Sequence, residues 1–303
     1  MHEPPEGYYV RTLDTGETQL WRIADRRAVR LGVTAPERAP GSYYAAEPGE
    51  TAWDAIRRCT PWLDGLTAPG PFVALKNTPG LFHPRMARPV IGYGLEFSFL
   101  PDGEAHHRFL RSAQTQLEAL LGSIEAICRV VHPTPATLPV YGHEIRNILI
   151  LAATEVEMHM RAILADNGVV TDRLGTAHFV KLAAPMRLDN YSIRFHRFPE
   201  LPVFAPFHGW RSEKPTTSLV WYDAYNGVKH NRDREFERAS LKNALSAVAA
   251  CASLIVAQFG ARAMPEELTR FLTVEHSPWE YADLYVAPQD PSGWAAVYHP
   301  EVA

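Results

Sequence analysis

The distribution of proline divides this chain more sharply than any other sequence feature. Twelve of the 25 prolines precede Asp102, whereas residues 103–132, 141–168 and 216–264 contain none. Proline removes a backbone donor and clashes with the preceding helical turn, so that it interrupts helices and is tolerated in turns and at strand edges. The sequence therefore predicts an irregular first third followed by a long helical body.

Within that body, apolar residues recur at the three- and four-residue spacing of helices that bury one face. This periodicity predicts four main helices at about residues 104–131, 141–167, 217–231 and 240–263. Asp102 is expected to cap the first helix, and Thr217 or Ser218 the third. The second helix is apolar on most sides of its first half, which indicates a central position. The predicted fold class is therefore mainly α, a bundle of about four long helices with a mixed strand and loop region before it.

Three regions follow from this division. Residues 1–101 form the mixed strand and loop region, residues 102–264 form the helical bundle, and residues 265–303 form an irregular strap. Inside the bundle, a loop or hairpin insertion is expected at 168–215, with extended segments at 191–197 and 203–207. In the first region a short helix is expected at 51–59, and short strands at 8–13, 19–23, 28–33, 72–75 and 90–100.

Composition and charge narrow the possible partners. Hydrophobic residues make up 46% and charged residues 21% of the chain, and the net charge is −4. Any contact with nucleic acid would therefore have to rest on a local basic patch. The three cysteines are far apart in sequence, which fits a reducing compartment. The sequence has no signal-peptide pattern and no apolar run of membrane-spanning length, so we expect a cytoplasmic protein with no membrane partner.

The segment 218–232, SLVWYDAYNGVKHNR, concentrates the residue types that chemistry requires. On a helix, Trp221, Tyr225 and Val228 fall on one stripe, which predicts that they are buried. A second arc carries Tyr222, Asn226, Lys229 and His230. One interpretation is a solvated helix face whose cations suit the helix dipole. The other is a catalytic or phosphate-binding site.

A second group of basic residues lies in the predicted insertion. Arg194 and Arg197 are interleaved there with aromatic residues, a mixture typical of single-stranded nucleic-acid surfaces, where rings stack on bases and cations meet phosphates. Alternatively, the aromatic rings bury themselves against the bundle.

A family resemblance can be read from these motifs. Glu144-Ile145-Arg146 opens a long helix, Trp221 is followed by Tyr225-Asn226, Lys229-His230 and Arg232, and residues 239–245 read ASLKNAL. This arrangement resembles the HEPN-type helical domains, a group that includes many RNases of phage-defence and toxin systems. The resemblance covers about residues 141–260. In that family an arginine and then a polar residue stand four to six positions before the motif histidine. No arginine stands at the required distance before His230.

The resemblance implies a metal-independent endoribonuclease effector of a toxin or antiphage defence system, with no cofactor. His230 would act as the general acid or base, because histidine titrates near neutral pH. Lys229 and Arg232 would stabilise the phosphorane charge, and Asn226 would orient the imidazole or a phosphate. RNA would also contact a second set of residues, namely Arg146, Tyr222, Arg194 and Arg197. A homodimer would supply a second histidine, and a neighbouring defence-system protein is a further expected partner.

Two alternatives remain open from the sequence. The chain can instead be a non-catalytic helical module that binds or scaffolds a protein, nucleotide or RNA partner, with the Asn-Lys-His group structural or ligand-holding. A metal site would need His106, His107 or His143 with Glu144, and these spacings match no established ligand pattern. The HExxR string that starts at His143 lacks the second ligand of a zincin motif, so a metalloprotease is excluded.

Overall fold

Alternating burial marks the second strand of the first sheet in the computed structural model. The structure describes residues 5–13, 15–61, 72–91, 97–98, 104–171, 173–288 and 293–302, with side chains for all of these except residues 97, 98, 104 and 232. In the strand Thr18–Ala24, Trp21 and Ile23 point into the core while Arg22 between them is exposed. This period of two is the pattern of a strand with one buried face.

Five antiparallel strands and one helix form the amino-terminal layer. The strands lie in the order β4-β3-β2-β1-β5. Their bounds are β1 (Gly7–Thr12), β2 (Thr18–Ala24), β3 (Arg27–Arg30), β4 (Tyr43–Ala45) and β5 (Phe72–Ala74), with helix α1 (Ala52–Cys59) between β4 and β5. Thr51 and Asp54 form a capping box at the start of α1. The sheet and helix enclose an aromatic core in which Tyr9 and Trp53 meet edge to face at 5.2 Å.

Seven further strands complete the β structure in the described residues. They are β6 (Leu81–Phe82), β7 (Pro89–Ile91), β8 (Phe97–Ser98), β9 (Ser192–Phe195), β10 (Leu272–Glu275), β11 (Tyr285–Val286) and β12 (Ala295–Ala296). Strand β11 runs parallel to β7, and β12 runs parallel to β6. Strands β9 and β10 form an antiparallel pair. Segments from the last quarter of the chain therefore return to pair with strands from much earlier in the sequence.

The helices pack around one central member. The described residues contain α2 (Glu104–Cys128), α3 (His143–Asp166), α4 (Thr176–Phe179), α5 (Val220–His230), α6 (Arg232–Glu235), α7 (Leu241–Phe259) and α8 (Glu266–Thr269). Helix α7 contacts α2, α3 and α5, and 17 of its 19 residues are buried. Its run of alanines allows these neighbours to approach closely. The long helix α3 had been predicted as the central helix, and α7 is more buried than α3, where ten of 24 residues are buried.

The predicted fold class is wrong, because the protein is a mixed α and β structure and not a mainly α bundle of four helices. The described residues are 43% helical and 16% strand. The physical reason lies in the first hundred residues, whose strands pair into a five-stranded sheet with its own buried core of Tyr9, Trp21, Ile23 and Phe72. Periodicity located these strands, but it does not show that they pair with one another to form a sheet with a core.

Individual elements were predicted better than the fold class. The four long helices lie where expected, and α1 and the strands β1, β2, β3 and β5 confirm the predicted segments. The expected hairpin between residues 191–197 and 203–207 is reduced to one bridge, Ile193 to Phe204, and Pro206 in the second segment has no N–H with which to extend it. Strand β9 pairs instead with β10. Neither Thr217 nor Ser218 caps α5; its N-cap residue is Leu219, which makes no side-chain cap bond. The predicted Asp102 cap lies outside the described residues.

The chain forms two compact units. The first comprises residues 1–82, 88–97 and 279–296, and the second comprises residues 83–87, 98–278 and 297–303. Among the described residues only α7, in the second unit, is long and apolar enough to cross a membrane, with a mean hydropathy of 1.4. However, 83% of that apolar window is buried inside the protein, which is the position of a core helix.

Candidate functional site

Helix α5 is anchored in the second unit by the stripe that the sequence predicted. Trp221 is 3% exposed, and Tyr225 and Val228 are fully buried. The indole Nε1 of Trp221 donates a hydrogen bond of 2.7 Å to the carbonyl oxygen of Pro206, so that its polar atom is satisfied in the core. The predicted burial of this stripe is confirmed, and it fixes the orientation of the polar residues on the rest of the helix.

Tyr222, predicted to contact RNA, is a buried residue. Its side chain is 5% exposed, and its hydroxyl donates a hydrogen bond of 2.6 Å to Oε1 of Glu157 on α3. Burial, followed by the hydrogen bond to Glu157 and the charge of that carboxylate, raises the pKa of the Tyr222 phenol well above its usual range. The hydroxyl is therefore a neutral donor at physiological pH, and it joins α5 to α3.

Lys229 and Asn226 of α5 are also bonded within the protein. Lys229 donates a hydrogen bond of 2.7 Å to the hydroxyl oxygen of Tyr225, and its ammonium lies 4.9 Å from the centroid of that ring. This hydrogen bond raises the pKa of the Lys229 ammonium. Asn226 donates a hydrogen bond of 3.2 Å to the carbonyl oxygen of Tyr222, one turn earlier. The amide predicted to orient an imidazole or a phosphate thus bonds its own helix.

His230 is the last residue of α5 and is exposed. Its ring has no hydrogen-bond, ion-pair or ring partner among the described residues. Neither Glu155 nor Glu157 seals it in the core. Arg232 begins the next short helix, α6, and its side chain is outside the description. The carboxyl end of α5 therefore presents an imidazole to solvent, beside the exposed side chain of Lys229.

An ion-pair clasp holds the turn that follows His230. Arg238 contacts the carboxylate of Asp223 and donates a hydrogen bond of 2.9 Å to Oε2 of Glu235. The clasp passes close to Gly227, where an added Cβ would lie 3.0 Å from a guanidinium nitrogen of Arg238. Sequence reasoning missed this clasp. The glycine in the middle of a helix was the available signal, because such a residue often marks a close approach.

Of the three arginines predicted to bind RNA, Arg146 and Arg197 have side-chain contacts within the protein and Arg194 is exposed. Arg146 is half-buried on α3 and donates to the Asn147 side chain at 3.5 Å. Arg197 pairs with Glu125 of α2, and its guanidinium lies 4.3 Å from the centroid of the Phe271 ring. Arg194 is exposed on β9. No hydrogen bond or ion pair within the described residues joins any of these arginines to the polar residues of α5.

The aromatic residues around Arg194 and Arg197 are mainly part of the core. Tyr191 is 3% exposed and Phe195 is 2% exposed, and burial raises the pKa of the Tyr191 phenol. Rings at this level of burial offer no face on which a base can stack. For these two residues the structure agrees with the alternative in which the aromatics pack against the bundle.

A buried polar chain in the same unit was not predicted. His159 is fully buried, and its Nδ1 accepts a hydrogen bond of 2.6 Å from the side-chain amide of Gln258. The amide oxygen of Gln258 accepts from Arg85 at 3.4 Å, and Arg85 in turn pairs with Asp166. Oε1 of Glu155 lies 3.5 Å from the other ring nitrogen of His159. The spacing of Glu155 and His159, one helical turn apart, was visible in the sequence, but the burial of His159 was not.

The histidines considered for a metal site make other contacts. His143 packs its ring 4.9 Å from that of Phe236, and Nε2 of His106 lies 3.5 Å from a carboxylate oxygen of Asp166. No group of three or more His, Cys, Asp or Glu side chains in the described part of the chain is arranged to hold a metal ion.

Comparisons with protein-family models, with curated proteins and with solved structures find no match to this chain. On α5, Tyr222 bonds to α3, Asn226 and Lys229 bond to α5 itself, and His230 is exposed at the carboxyl end without a partner among the described residues.

Proposed function

We propose that this chain acts as a non-catalytic helical binding module, and that the exposed end of α5 contacts single-stranded RNA. The observation that carries this proposal is the division of polar groups on α5. Tyr222, Asn226 and Lys229 make hydrogen bonds inside the protein, whereas the imidazole of His230 has no partner among the described residues.

Catalysis would require more than the end of α5 provides. RNA cleavage without a metal needs an oriented base, an acid for the leaving oxygen and a cation near the developing charge. An exposed imidazole with no orienting partner is not preorganised for proton transfer. The Asn226 amide, which would have oriented it, donates to the carbonyl oxygen of Tyr222 instead.

Binding makes smaller demands on the same surface. Lys229, His230 and Arg234 are all exposed at or just after the end of α5. The ammonium of Lys229 and the guanidinium of Arg234 can contact phosphate oxygens without base-specific readout, as sequence-independent RNA binding requires, and the His230 ring can hydrogen-bond to the same backbone. The resemblance of residues 141–260 to HEPN-type domains supports RNA as the anionic partner. A protein from a neighbouring defence system would be an additional partner of such a module.

Fluorescence anisotropy with a labelled, mixed-sequence single-stranded RNA tests this proposal. Lys229→Ala and His230→Ala should each weaken binding, and loss of a lysine–phosphate contact should reduce the slope of log K against log salt by about 0.7. Lys181→Ala is the control for the loss of one exposed lysine elsewhere on the surface, because Lys181 is also exposed. Equal affinities for the wild type and both α5 variants would contradict the proposal, as would an equal loss in the control.

A second candidate is the metal-independent endoribonuclease of a toxin or antiphage system. The exposure of His230 favours it, because a substrate could reach the ring without any rearrangement of the protein. For either function we place the protein in the cytoplasm, since Cys59, Cys128 and Cys251 are free thiols.

A further inference from the structure

Helix α3 presents an exposed stripe along nearly its whole length. Every residue of the stripe is three or four positions from the next and is exposed in the described structure: Glu144, Asn147, Leu151, Thr154, Met158, Arg161 and Ala165. Two large apolar side chains lie in its middle, with Leu151 54% exposed and Met158 38% exposed. Large apolar side chains aligned on a helix face differ from the scattered ones of an ordinary surface, and such faces mark interaction sites.

The charges at the two ends of this stripe are opposite and symmetrically placed. Glu144 lies seven residues before Leu151, and Arg161 lies seven residues after Thr154. A twofold axis that passes midway between Leu151 and Thr154 and runs across the helix therefore places Glu144 opposite Arg161 of a second copy. The same operation places Arg161 opposite Glu144 of that copy. The stripe is thus complementary in charge to itself when two helices run antiparallel.

We propose that this α3 stripe is an interface that pairs with the α3 stripe of a second copy of the chain, antiparallel, about that axis. Glu144 and Arg161 are about 26 Å apart along the helix, so each lies about 13 Å from the axis. At the shallow crossing angle of about 20° that bundles favour, the two helices are still close at that distance, within reach of a Glu–Arg pair. The proposal therefore includes a shallow crossing.

The side chains are available for these contacts. Glu144 is exposed and has no partner among the described residues. One guanidinium nitrogen of Arg161 donates a hydrogen bond of 2.9 Å to the carbonyl oxygen of Leu174, and the group lies 5.5 Å from the centroid of the Phe179 ring. These contacts hold the guanidinium in place, and its other N–H groups remain available to a carboxylate.

The apolar residues lie in the middle of the seam that the two stripes form in this arrangement. Leu151 of each copy would lie next to the axis and face Thr154 of the other copy, and Met158, about one and a half turns from the axis, would face Asn147 of the other copy. Four apolar side chains would then lie along about 16 Å of the interface. A lipid surface fits this stripe less well, because an interfacial helix is usually rich in Lys and Arg beside its apolar face, and this stripe has one cation and one anion.

The experiment is sedimentation equilibrium of the full chain and of charge-reversal variants. The wild type should form a dimer. Glu144→Arg alone and Arg161→Glu alone should each weaken the dimer at least about tenfold, because each puts like charges at both ends of the seam. An equimolar mixture of the two variants should form a heterodimer, since every contact then joins opposite charges. The double variant Glu144→Arg/Arg161→Glu should recover the homodimer for the same reason.

Controls separate this interface from a general effect of charge or a loss of fold. Glu118→Arg makes the same change at an exposed position of α2 and should leave the dimer unchanged. Leu151→Gln changes no charge and should also weaken the dimer, with an unaltered circular dichroism spectrum. A monomeric wild type at high protein concentration would overturn the proposal. So would single variants that dimerise as the wild type does, or a mixture that stays monomeric. The outcome does not depend on whether the end of α5 binds RNA.

Discussion

The buried face of α5 and its carboxyl end differ in what their polar groups contact. On the buried face, the Trp221 indole, the Tyr222 hydroxyl and the Tyr225 hydroxyl each have a partner inside the protein. At the end of the same helix, the His230 ring has none among the described residues. Both regions belong to one motif in the sequence. The difference teaches that part of a chemistry-bearing motif can be structural, while the remainder is left to a partner.

Truncation of Trp221, which anchors α5, should lower the stability of the protein more than the other substitutions in this helix. Trp221→Ala should lower the free energy of unfolding by about 3–5 kcal/mol, because it removes a fully packed indole and leaves a cavity. Urea denaturation monitored by circular dichroism measures the loss. Val220→Ala is the neighbouring control, since Val220 is 67% exposed and should change stability little. A Trp221→Ala midpoint equal to that of the wild type would show that the buried face does not anchor α5.

Removal of the hydroxyl of Tyr222 should have an intermediate effect. Tyr222→Phe leaves the Glu157 carboxylate without its donor and should cost about 1–3 kcal/mol of stability. A double-mutant cycle with Glu157→Gln measures the coupling of the two side chains. Additive effects of the two substitutions would show that the 2.6 Å contact contributes nothing to the joining of α5 and α3.

The contact between Tyr222 and Glu157 should also make the stability of the folded protein depend on pH in the alkaline range. The folded-state pKa of the Tyr222 phenol is raised above its unfolded value, so the folded protein resists ionisation of this group. The resulting stability is fully present below the unfolded pKa of about 10 and is lost as pH rises above it. Denaturation curves between pH 9 and about pH 11 should therefore show a steeper loss of stability in the wild type than in Tyr222→Phe. Parallel losses in the two proteins would contradict this assignment.

Substitution of His230 should have the smallest effect on the fold. His230→Ala should change the free energy of unfolding by less than about 0.5 kcal/mol, the usual range for an exposed side chain without a partner. Thermal denaturation of His230→Ala and of Tyr222→Phe compares the loss of stability from two substitutions in the same helix. A loss as large as that of Tyr222→Phe would mean that His230 has a structural contact, and the two regions of α5 would no longer differ.

The sequence predicted the buried apolar stripe of α5 but not the partners of the polar residues on the same helix. The spacing of Trp221, Tyr225 and Val228 identified the buried stripe, because burial of a helix face follows from its period. The partner of Tyr222 could not be read in the same way, since Glu157 lies 65 residues away on another helix. The pairing of Asp223 with Arg238 was equally hidden, because it depends on the turn after α5. For the fold class, strand positions were predicted, but the pairing that joins them into a sheet is a long-range property.

Incubation of a labelled single-stranded RNA with stoichiometric protein in EDTA, followed by separation on a denaturing gel, tests most directly whether the end of α5 binds without catalysis. The account predicts that the RNA remains intact at protein concentrations at which fluorescence anisotropy shows it bound, with the wild type and His230→Ala giving the same gel pattern. Discrete cleavage products that appear with the wild type and disappear with His230→Ala would contradict it and establish the endoribonuclease instead.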